Sequence, residues 1–239
     1  MNAASPGPLL AFGAHPDDIE FGCGGIIARE AAAGRHVHFV VCSQGEAGTN
    51  GRPRQRLAEA RAGAAALGAT IEFLTLDGDA HLEIRAAHSI RIAGIIRRQR
   101  PLVVLAPTLE RNQHPDHWRL GQIVVDATRL ARFGGVRELK SRPVHRTGRL
   151  FFYAIAPEAE STTLPPVAID ISASEVVRTW TAAMNAHASQ MRTRNYVDLQ
   201  LVRARAWGAR VGVGHAQVLY PNEPLVFAAV GDIGGPLHA

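Results

Sequence analysis

Two clusters of histidine and aspartate contain the residue types and spacing best suited to metal chemistry. The first is the AHPDD segment at residues 14–18, which comes at the end of an apolar run at residues 9–14. A histidine and an aspartate from one tight turn offer zinc an imidazole nitrogen and a carboxylate oxygen. The other aspartate of that turn can take a proton from a water molecule activated by the metal. The second cluster is HPDH at residues 114–117.

The elements that position these clusters follow a strand–helix rhythm through the first two thirds of the chain. The apolar runs predict strands at residues 9–14, 36–42, 70–75 and 102–107. The runs between them predict helices at residues 26–33, 55–67 and 85–100, and a further helix that Asp116 could cap. Strands separated by helices imply an α/β fold, a Rossmann-like, doubly wound, mostly parallel sheet covered on both faces.

The pattern is looser after residue 133. Strands are predicted at residues 150–154 and 167–171, and Ser172 with Glu175 forms a capping box for a helix that continues to residue 191. The remaining tail, rich in Gly, Pro and Val, gives no clear element. Because no internal repeat or low-complexity linker interrupts the chain, we expect residues 1–239 to form a single domain with a C-terminal elaboration.

Both clusters follow a predicted strand, which places them at one edge of the sheet. Ligands of open parallel sheets bind beyond the carboxyl ends of the strands, where the strand order reverses. In the common doubly wound order the first and fourth strands are neighbours at that point. Either cluster alone is compatible with a plain turn followed by a helix cap. Together they predict one crevice that contains both.

Composition disfavours several classes of function. The chain has 239 residues, 46% of them hydrophobic, and a formal net charge of +5. Its basic residues are scattered rather than interleaved with aromatics, which argues against nucleic-acid binding. No apolar run approaches the roughly 18 residues of a membrane span, and no signal peptide is evident. The two cysteines, Cys23 and Cys42, form no CxxC motif, so we expect a cytoplasmic protein with reduced thiols.

The two clusters, together with further segments, resemble the PIG-L/LmbE-like zinc N-deacetylases. The further matches are GEAGTNG at residues 45–51, Arg56 followed by Glu59-Ala60, and Ser189-Gln190. The resemblance covers nearly the whole chain and is closest to the bacillithiol-biosynthesis branch. Enzymes of that branch remove acetate from an N-acetylglucosaminyl-malate.

The resemblance implies one zinc ion per chain, with other divalent ions as alternatives. Its protein ligands would be His15, Asp18 and His117, and three ligands with an open position are typical of a catalytic site. Asp17 would be the general base, and His114 would face the developing oxyanion, its protonated form favoured by a carboxylate such as Asp116. Asp116 itself is either a partner that orients a histidine or only a helix cap.

The resemblance also implies a small amino-sugar substrate and a homo-oligomer, a hexamer in this family. The expected substrate contacts are Glu46, Arg56, Gln113 and His187. Gln113 stands where bacillithiol-type enzymes often have Arg, and His187 where they often have Tyr. Both differences weaken the assignment to the malate glycoside. Arg52 has no such support, and a solvated surface role suits it better.

Three other interpretations compete with this one. The same site can act on another small N-acyl compound or on a secondary-metabolite glycoside. A non-catalytic sugar- or nucleotide-binding module with this fold is possible, although such a module has no need of Asp17 beside the ligands. A structural zinc site would require a fourth protein ligand.

Overall fold

Short, largely apolar runs form the strands of one sheet in the computed structural model, which describes residues 7–111 and 114–230. Within those residues the strands number seven, and their order across the sheet is β3-β2-β1-β4-β5-β7-β6. They are β1 (Leu9–Gly13), β2 (Val37–Val41), β3 (Thr70–Phe73), β4 (Val103–Pro107), β5 (Arg149–Tyr153), β6 (Val167–Asp170) and β7 (Ala216–Pro221).

Six α-helices connect or cover these strands in the described part of the chain. They are α1 (Asp18–Ala32), α2 (Pro53–Ala66), α3 (Ala86–Gln99), α4 (Pro115–Leu130), α5 (Ser174–Asn185) and α6 (Tyr196–Val211). Single 3₁₀ turns lie at Arg137–Leu139, Pro157–Ala159 and Gln190–Arg192. Strands β1 to β5 pair in parallel, whereas β7 is antiparallel to both β5 and β6. The predicted fold class is therefore confirmed.

The two faces of the sheet are covered by different helices because successive residues of a strand point to opposite faces. Leu10 and Phe12 of β1 belong to the apolar cluster that includes α3 and α4. Leu9 and Ala11 belong to the other cluster, which includes α1 and α5. Strand β1 is buried over its whole length. This burial fixes the position of the turn that follows it.

Helix α1 begins eight residues earlier than the predicted start at residue 26. The glycines of the GCGG segment lie inside this helix, which kinks at Cys23, where φ is −144°. A Cβ atom on Gly24 would come within 2.6 Å of the Trp180 ring. Gly24 therefore allows α1 to pack closely against α5, and the early start of α1 places Asp18 in the first helical turn.

Three local predictions were wrong. Asp116 does not cap α4, because His114 occupies that position and its side chain accepts the Asp116 N–H. Ser172 and Glu175 form no capping box, since α5 begins at Ser174 without a side-chain cap. Ser172 instead accepts a hydrogen bond from the His215 N–H at 2.9 Å, across to the segment before β7. Helix α5 also ends at Asn185 rather than at residue 191.

Two elements in the tail were not predicted. Helix α6 buries only Gln200, Ala204 and Gly208, a narrow stripe of small and polar residues with a weak apolar period. Strand β7 follows it and lies inside the sheet. In the described residues, none of the helices is both long and apolar enough to cross a bilayer.

Candidate active site

The turn after β1 fixes the orientation of one carboxylate. Oδ2 of Asp18 accepts hydrogen bonds from the backbone N–H groups of Ala14, at 2.8 Å, and His15, at 2.9 Å. The other oxygen, Oδ1, lies 3.2 Å from Nε2 of His117 at the start of α4. The backbone of the turn therefore holds Asp18 with one oxygen directed at the second histidine cluster.

Three side chains from the two clusters, those of His15, Asp18 and His117, converge so that each offers a ligand atom within 4.8 Å of the others. Nδ1 of His15 lies 3.2 Å from Nε2 of His117 and 3.5 Å from Oδ2 of Asp18. Ligands bound tetrahedrally at about 2.1 Å from zinc are separated by about 3.4 Å. The observed separations therefore fit a divalent ion, and all three residues are less than 10% exposed. Topology thus brings residues 14–18 and 114–117 together, as the strand order predicted.

The electrostatics of Asp18 agree with a ligand role. Burial alone would raise the pKa of a carboxyl group. The interactions with His117 and His15 outweigh burial and hold the pKa of Asp18 well below its usual range. A carboxylate that stays ionised is the form that binds a metal.

Asp17 differs from its neighbour in backbone and in side-chain contacts. Its φ of 127° lies in a region that L residues rarely adopt, which costs on the order of 1–3 kcal/mol and is common at functional sites. Its Oδ2 lies 3.1 Å from Nη2 of Arg56, and in the described residues Asp17 is not part of the set of converging metal ligands. Burial, with Asp18 nearby, raises the pKa of Asp17 to about 6 even though Arg56 opposes the shift. That value suits a general base near neutral pH.

Arg56 ties two loops together under the site. Nη1 donates to the carbonyl of Gly45 at 3.0 Å, and Nη2 donates to the carbonyl of Pro16 at 3.1 Å. The residue is only 5% exposed, and Nε is buried without a hydrogen-bond partner in the described residues. Much of the guanidinium is therefore committed to positioning Asp17, and its remaining surface faces the pocket.

The helix cap sets the tautomer of His114. Its Nδ1 accepts the Asp116 N–H at 3.3 Å, so a neutral ring carries its proton on Nε2. Burial and the neighbouring His15 lower the pKa of His114, and Asp116 opposes them only in part. Asp116 thus favours the protonated form of His114, as expected, but burial and His15 outweigh it and the net shift of the pKa is downward. A neutral ring still presents an Nε2–H donor to the pocket.

His15 has carboxylates on its far side as well. Nε2 lies 3.0 Å from Oδ1 of Asp79 and 3.4 Å from Oδ2 of Asp116. Asp79 was missed because it belongs to no histidine motif. Its position just after a parallel strand could have identified it. Asp77-Gly78-Asp79 follows β3 in the same way that the two clusters follow β1 and β4.

A pocket of about 550 Å³ opens above these groups. One wall is polar and consists of the ligand set with Asp17, Arg56, Asp79 and His114. The opposite wall is largely apolar and includes Phe21, Ile155, Tyr196 and Leu199, with Arg194 and Glu158 also lining the pocket. Such a cavity can hold a small molecule that has hydroxyl groups on one side and an apolar face on the other.

The other predicted substrate contacts are placed differently. The carboxylate of Glu46 accepts the backbone N–H groups of Gln44 and Asp79 and does not line the pocket. His187 is fully buried, with Nε2 3.2 Å from Oε1 of Glu20, so the expectation that it borders the substrate opening was wrong. The His187 ring instead lies in the interior, between α1, α2 and α5. Gln113 lies outside the described residues.

The comparisons with known proteins define the class. Residues 10–128 match the model of the PIG-L family, described as GlcNAc-PI de-N-acetylase. The uncharacterized deacetylase YaiS of Escherichia coli (strain K12) is 35% identical over 51% of this chain and 68% of its own. The chain belongs to the PIG-L family and is a hydrolase of the deacetylase class.

Two further relatives extend the similarity beyond the first half of the chain. The 1D-myo-inositol 2-acetamido-2-deoxy-alpha-D-glucopyranoside deacetylase 2 of Catenulispora acidiphila is 27% identical over 80% of this chain and 82% of its own. The structure of the conserved protein TT1542 from Thermus thermophilus superposes with a TM-score of 0.81 at 30% identity. That superposition covers 94% of this chain and 98% of TT1542.

Proposed function

We propose that this protein is a zinc-dependent N-deacetylase of an N-acetylglucosamine-containing small molecule, a bacillithiol-type glycoside or a similar compound. The observation that carries the proposal is the convergence of His15, Asp18 and His117 beside a carboxylate, Asp17, that is not part of the ligand set. A site built only to bind a sugar has no use for that extra carboxylate. The deacetylation consumes water and releases acetate and a free amino sugar.

The donor set supports zinc as the metal. Nδ1 of His15 and Nε2 of His117 lie 3.2 Å apart, and each lies within 3.5 Å of an oxygen of Asp18; two imidazoles and one carboxylate would hold zinc as three protein ligands, the number typical of a catalytic site. When bound, zinc would supply Lewis acidity at the amide carbonyl and lower the pKa of a water molecule. Other divalent ions share these ligand preferences in part.

We assign to Asp17 both proton transfers of the hydrolysis. Its carboxylate would accept a proton from the attacking water and later deliver it to the departing amine. Arg56 holds this carboxylate in place, and the strained backbone fixes its direction. We assign to His114 the hydrogen bond to the carbonyl oxygen, because His114 lines the pocket and its Nε2–H can donate a hydrogen bond where negative charge develops.

Substrate recognition is proposed to involve Arg56 and the lining of the pocket. A guanidinium offers fixed donors suited to sugar hydroxyls, and the apolar wall suits the face of a pyranose ring. Gln113 cannot form the ion pair that Arg would form with a malate carboxylate, so we expect a weak preference for the malate aglycone. Glu46 is better suited to hold the loop of Asp79 than to contact the sugar.

Three further parts of the proposal concern the whole protein. The two apolar clusters share one sheet, which supports a single domain over residues 1–239. The family resemblance supports a homo-oligomer, with a hexamer as its expected size, and light scattering on the purified protein tests it. The two buried, unpaired cysteines agree with a cytoplasmic location.

Acetate release tests the function directly. The zinc-loaded protein is assayed with free N-acetylglucosamine, its malate glycoside and a neutral glycoside. We expect turnover on at least one glycoside, with little preference for malate. A large malate preference would instead favour a strict bacillithiol enzyme. If zinc is bound and none of the three compounds releases acetate, the substrate is another class of N-acyl compound.

A further inference from the structure

A narrow cleft at the far end of the sheet from the candidate active site is lined by four arginines. They are Arg129 and Arg132 at the end of α4, and Arg146 and Arg149 around the start of β5. Arg149 lies level with the first residue of β4, whereas the candidate active site lies beyond the last. The cleft has a volume of about 90 Å³. Pockets for whole small molecules are several times larger, so this one suits a compact polar group.

The four guanidinium groups of the cleft lack acidic partners. In the described part of the chain none of them forms an ion pair with a carboxylate. Nη1 of Arg149 donates to the adjacent carbonyl of Gly148 at 3.2 Å. Among the described residues that line the cleft, four arginines stand against one acidic residue, Glu223. This excess of positive charge in a small space favours the binding of an anion.

The carboxyl end of α4 does not require the two arginines that lie there. Basic side chains are common in the last turn of a helix, where they can donate to free carbonyl groups. In this chain the buried Arg97 has that role, since its guanidinium donates to the carbonyls of Ala131 at 3.0 Å and Phe133 at 2.8 Å. The N–H of His145 also donates to Ala131. The surface arginines of this helix end therefore keep their donors for another acceptor.

The backbone around the other two arginines is held in place and leaves one hydroxyl unpaired. Nε2 of His145 lies 2.8 Å from the carbonyl of Pro101, and the N–H of Arg149 donates to the carbonyl of Leu102 at 3.0 Å. Between these two anchors lies Thr147, which also lines the cleft. Its Oγ1 is buried without a hydrogen-bond partner in the described residues. An unpaired buried hydroxyl lowers stability, and an anion in the cleft would accept its hydrogen bond.

We propose that this cleft, named here the arginine cleft (Arg129, Arg132, Arg146, Thr147 and Arg149), binds a phosphate group, either as the free ion or on a phosphorylated small molecule. A phosphate group offers at least three acceptor oxygens and up to about two negative charges. These match four guanidiniums and one hydroxyl better than the two oxygens and single charge of a carboxylate do. The planar fork of an arginine side chain also suits bidentate contacts with phosphate.

Isothermal titration calorimetry with inorganic phosphate, at constant ionic strength, tests the arginine cleft. We expect one phosphate per chain in the wild type, and roughly 10-fold weaker binding in Arg146→Gln and in Arg149→Gln. His117→Ala, which removes a proposed metal ligand at the other end of the sheet, should keep this phosphate. The matched control is Arg205→Gln, because it removes the same charge from an exposed position on α6. It should bind phosphate as the wild type does.

Two further variants examine the hydroxyl and the carboxylate of the cleft. Thr147→Val keeps the shape of the side chain and should weaken phosphate binding roughly 10-fold. Its melting temperature without phosphate should be unchanged or higher, because the hydroxyl has no partner to lose. Glu223→Gln should bind phosphate more tightly, since it removes a negative charge from the lining. Unchanged phosphate affinity together with a lower melting temperature in Thr147→Val would show a structural role for the hydroxyl and contradict its place in the site.

Glucose 6-phosphate distinguishes the two sources of the phosphate group. Tighter binding of this compound than of inorganic phosphate would support a phosphorylated small molecule, and equal or weaker binding would support the free ion. Three results would overturn the proposal. They are no phosphate uptake by His117→Ala at millimolar concentration, equal weakening of binding in Arg205→Gln and Arg146→Gln, and binding of acetate as tight as that of phosphate. Because no step uses an N-acetylated substrate, these results are independent of the proposed deacetylase activity.

Discussion

The two walls of the pocket are built in contrasting ways. The polar wall, called here the metal wall, comes from turns at the ends of β1 and β4, and its metal ligands are less than 10% exposed. The apolar wall opposite is called the outer wall. The outer wall comes from residues 155–158 and from the start of α6, where Ile155, Tyr196 and Leu199 are only partly buried. Strand-end turns fixed by a buried sheet can hold chemistry to within fractions of an ångström, whereas partly exposed side chains allow the substrate range to change.

The largest effect should follow from removing a ligand on the metal wall. In His117→Ala the proposed zinc site loses one of its three protein ligands. We therefore expect most of the bound zinc to be lost on dialysis against a chelator, and turnover to fall near background. Elemental analysis and acetate release measure both. The matched control is His81→Ala at an exposed position without a motif, and it should behave as wild type. Full zinc occupancy in His117→Ala would show that the ligand assignment is wrong.

A smaller loss is expected at His114. His114→Ala removes the Nε2–H donor, so kcat should fall roughly 10²–10³-fold and by more than KM rises. Because His114 also caps α4, His114→Asn provides the matched comparison. Asn restores a good N-cap without the imidazole, so it should recover stability but not kcat. A change confined to KM would make His114 a binding residue.

Arg56 belongs to the metal wall but contacts Asp17 rather than the metal ligands, so its removal should have an intermediate effect on kcat and on KM. Arg56→Ala removes hydrogen bonds to Gly45, Pro16 and Asp17. We expect kcat/KM to fall roughly 5- to 150-fold, which corresponds to a loss of about 1–3 kcal/mol of transition-state stabilisation. Arg52→Ala is the control, because its exposed side chain makes no capping bond to α2. Equal effects of the two substitutions would indicate a general charge effect rather than positioning of Asp17.

The smallest effect is expected on the outer wall. Tyr196 packs on Phe21, with ring centroids 5.5 Å apart, and faces the pocket. Tyr196→Ala should raise KM by roughly fivefold, about 1 kcal/mol, more for glycosides with a large aglycone than for free N-acetylglucosamine, and leave zinc content unchanged. Val202→Ala, at an exposed position on the same helix, controls for damage to α6. A loss of zinc in Tyr196→Ala would contradict the separation of the two walls.

The same contrast explains how much could be predicted from the sequence. The metal wall could be predicted from local motifs and the strand order, which together place residues 14–18 next to residues 114–117. Helix α6 could not, since its buried stripe of Gln200, Ala204 and Gly208 lacks apolar periodicity. Its end signals, Asn195 before the helix and Gly212 after it, were present but isolated.

Motif resemblance places a residue along the chain but not its side chain in space. His187 follows a motif position, yet its ring is buried against Glu20 because α1 and α2 pack closely there. Asp79 shows the opposite case, a side chain at the centre of the site without any motif. Packing between distant segments of the chain determines where both side chains lie. Such packing leaves no local pattern in a single sequence.

The central claim is that two adjacent carboxylates divide their roles, Asp18 as ligand and Asp17 as base. The decisive measurement compares zinc content and turnover in Asp17→Asn and Asp18→Asn, each loaded with one equivalent of zinc and then dialysed. Asn tolerates the left-handed backbone of position 17 better than most residues. Asp17→Asn should keep zinc and lose roughly 10²–10⁴-fold in turnover, whereas Asp18→Asn should lose zinc. Near-normal turnover in Asp17→Asn, or full zinc in Asp18→Asn, would contradict the account.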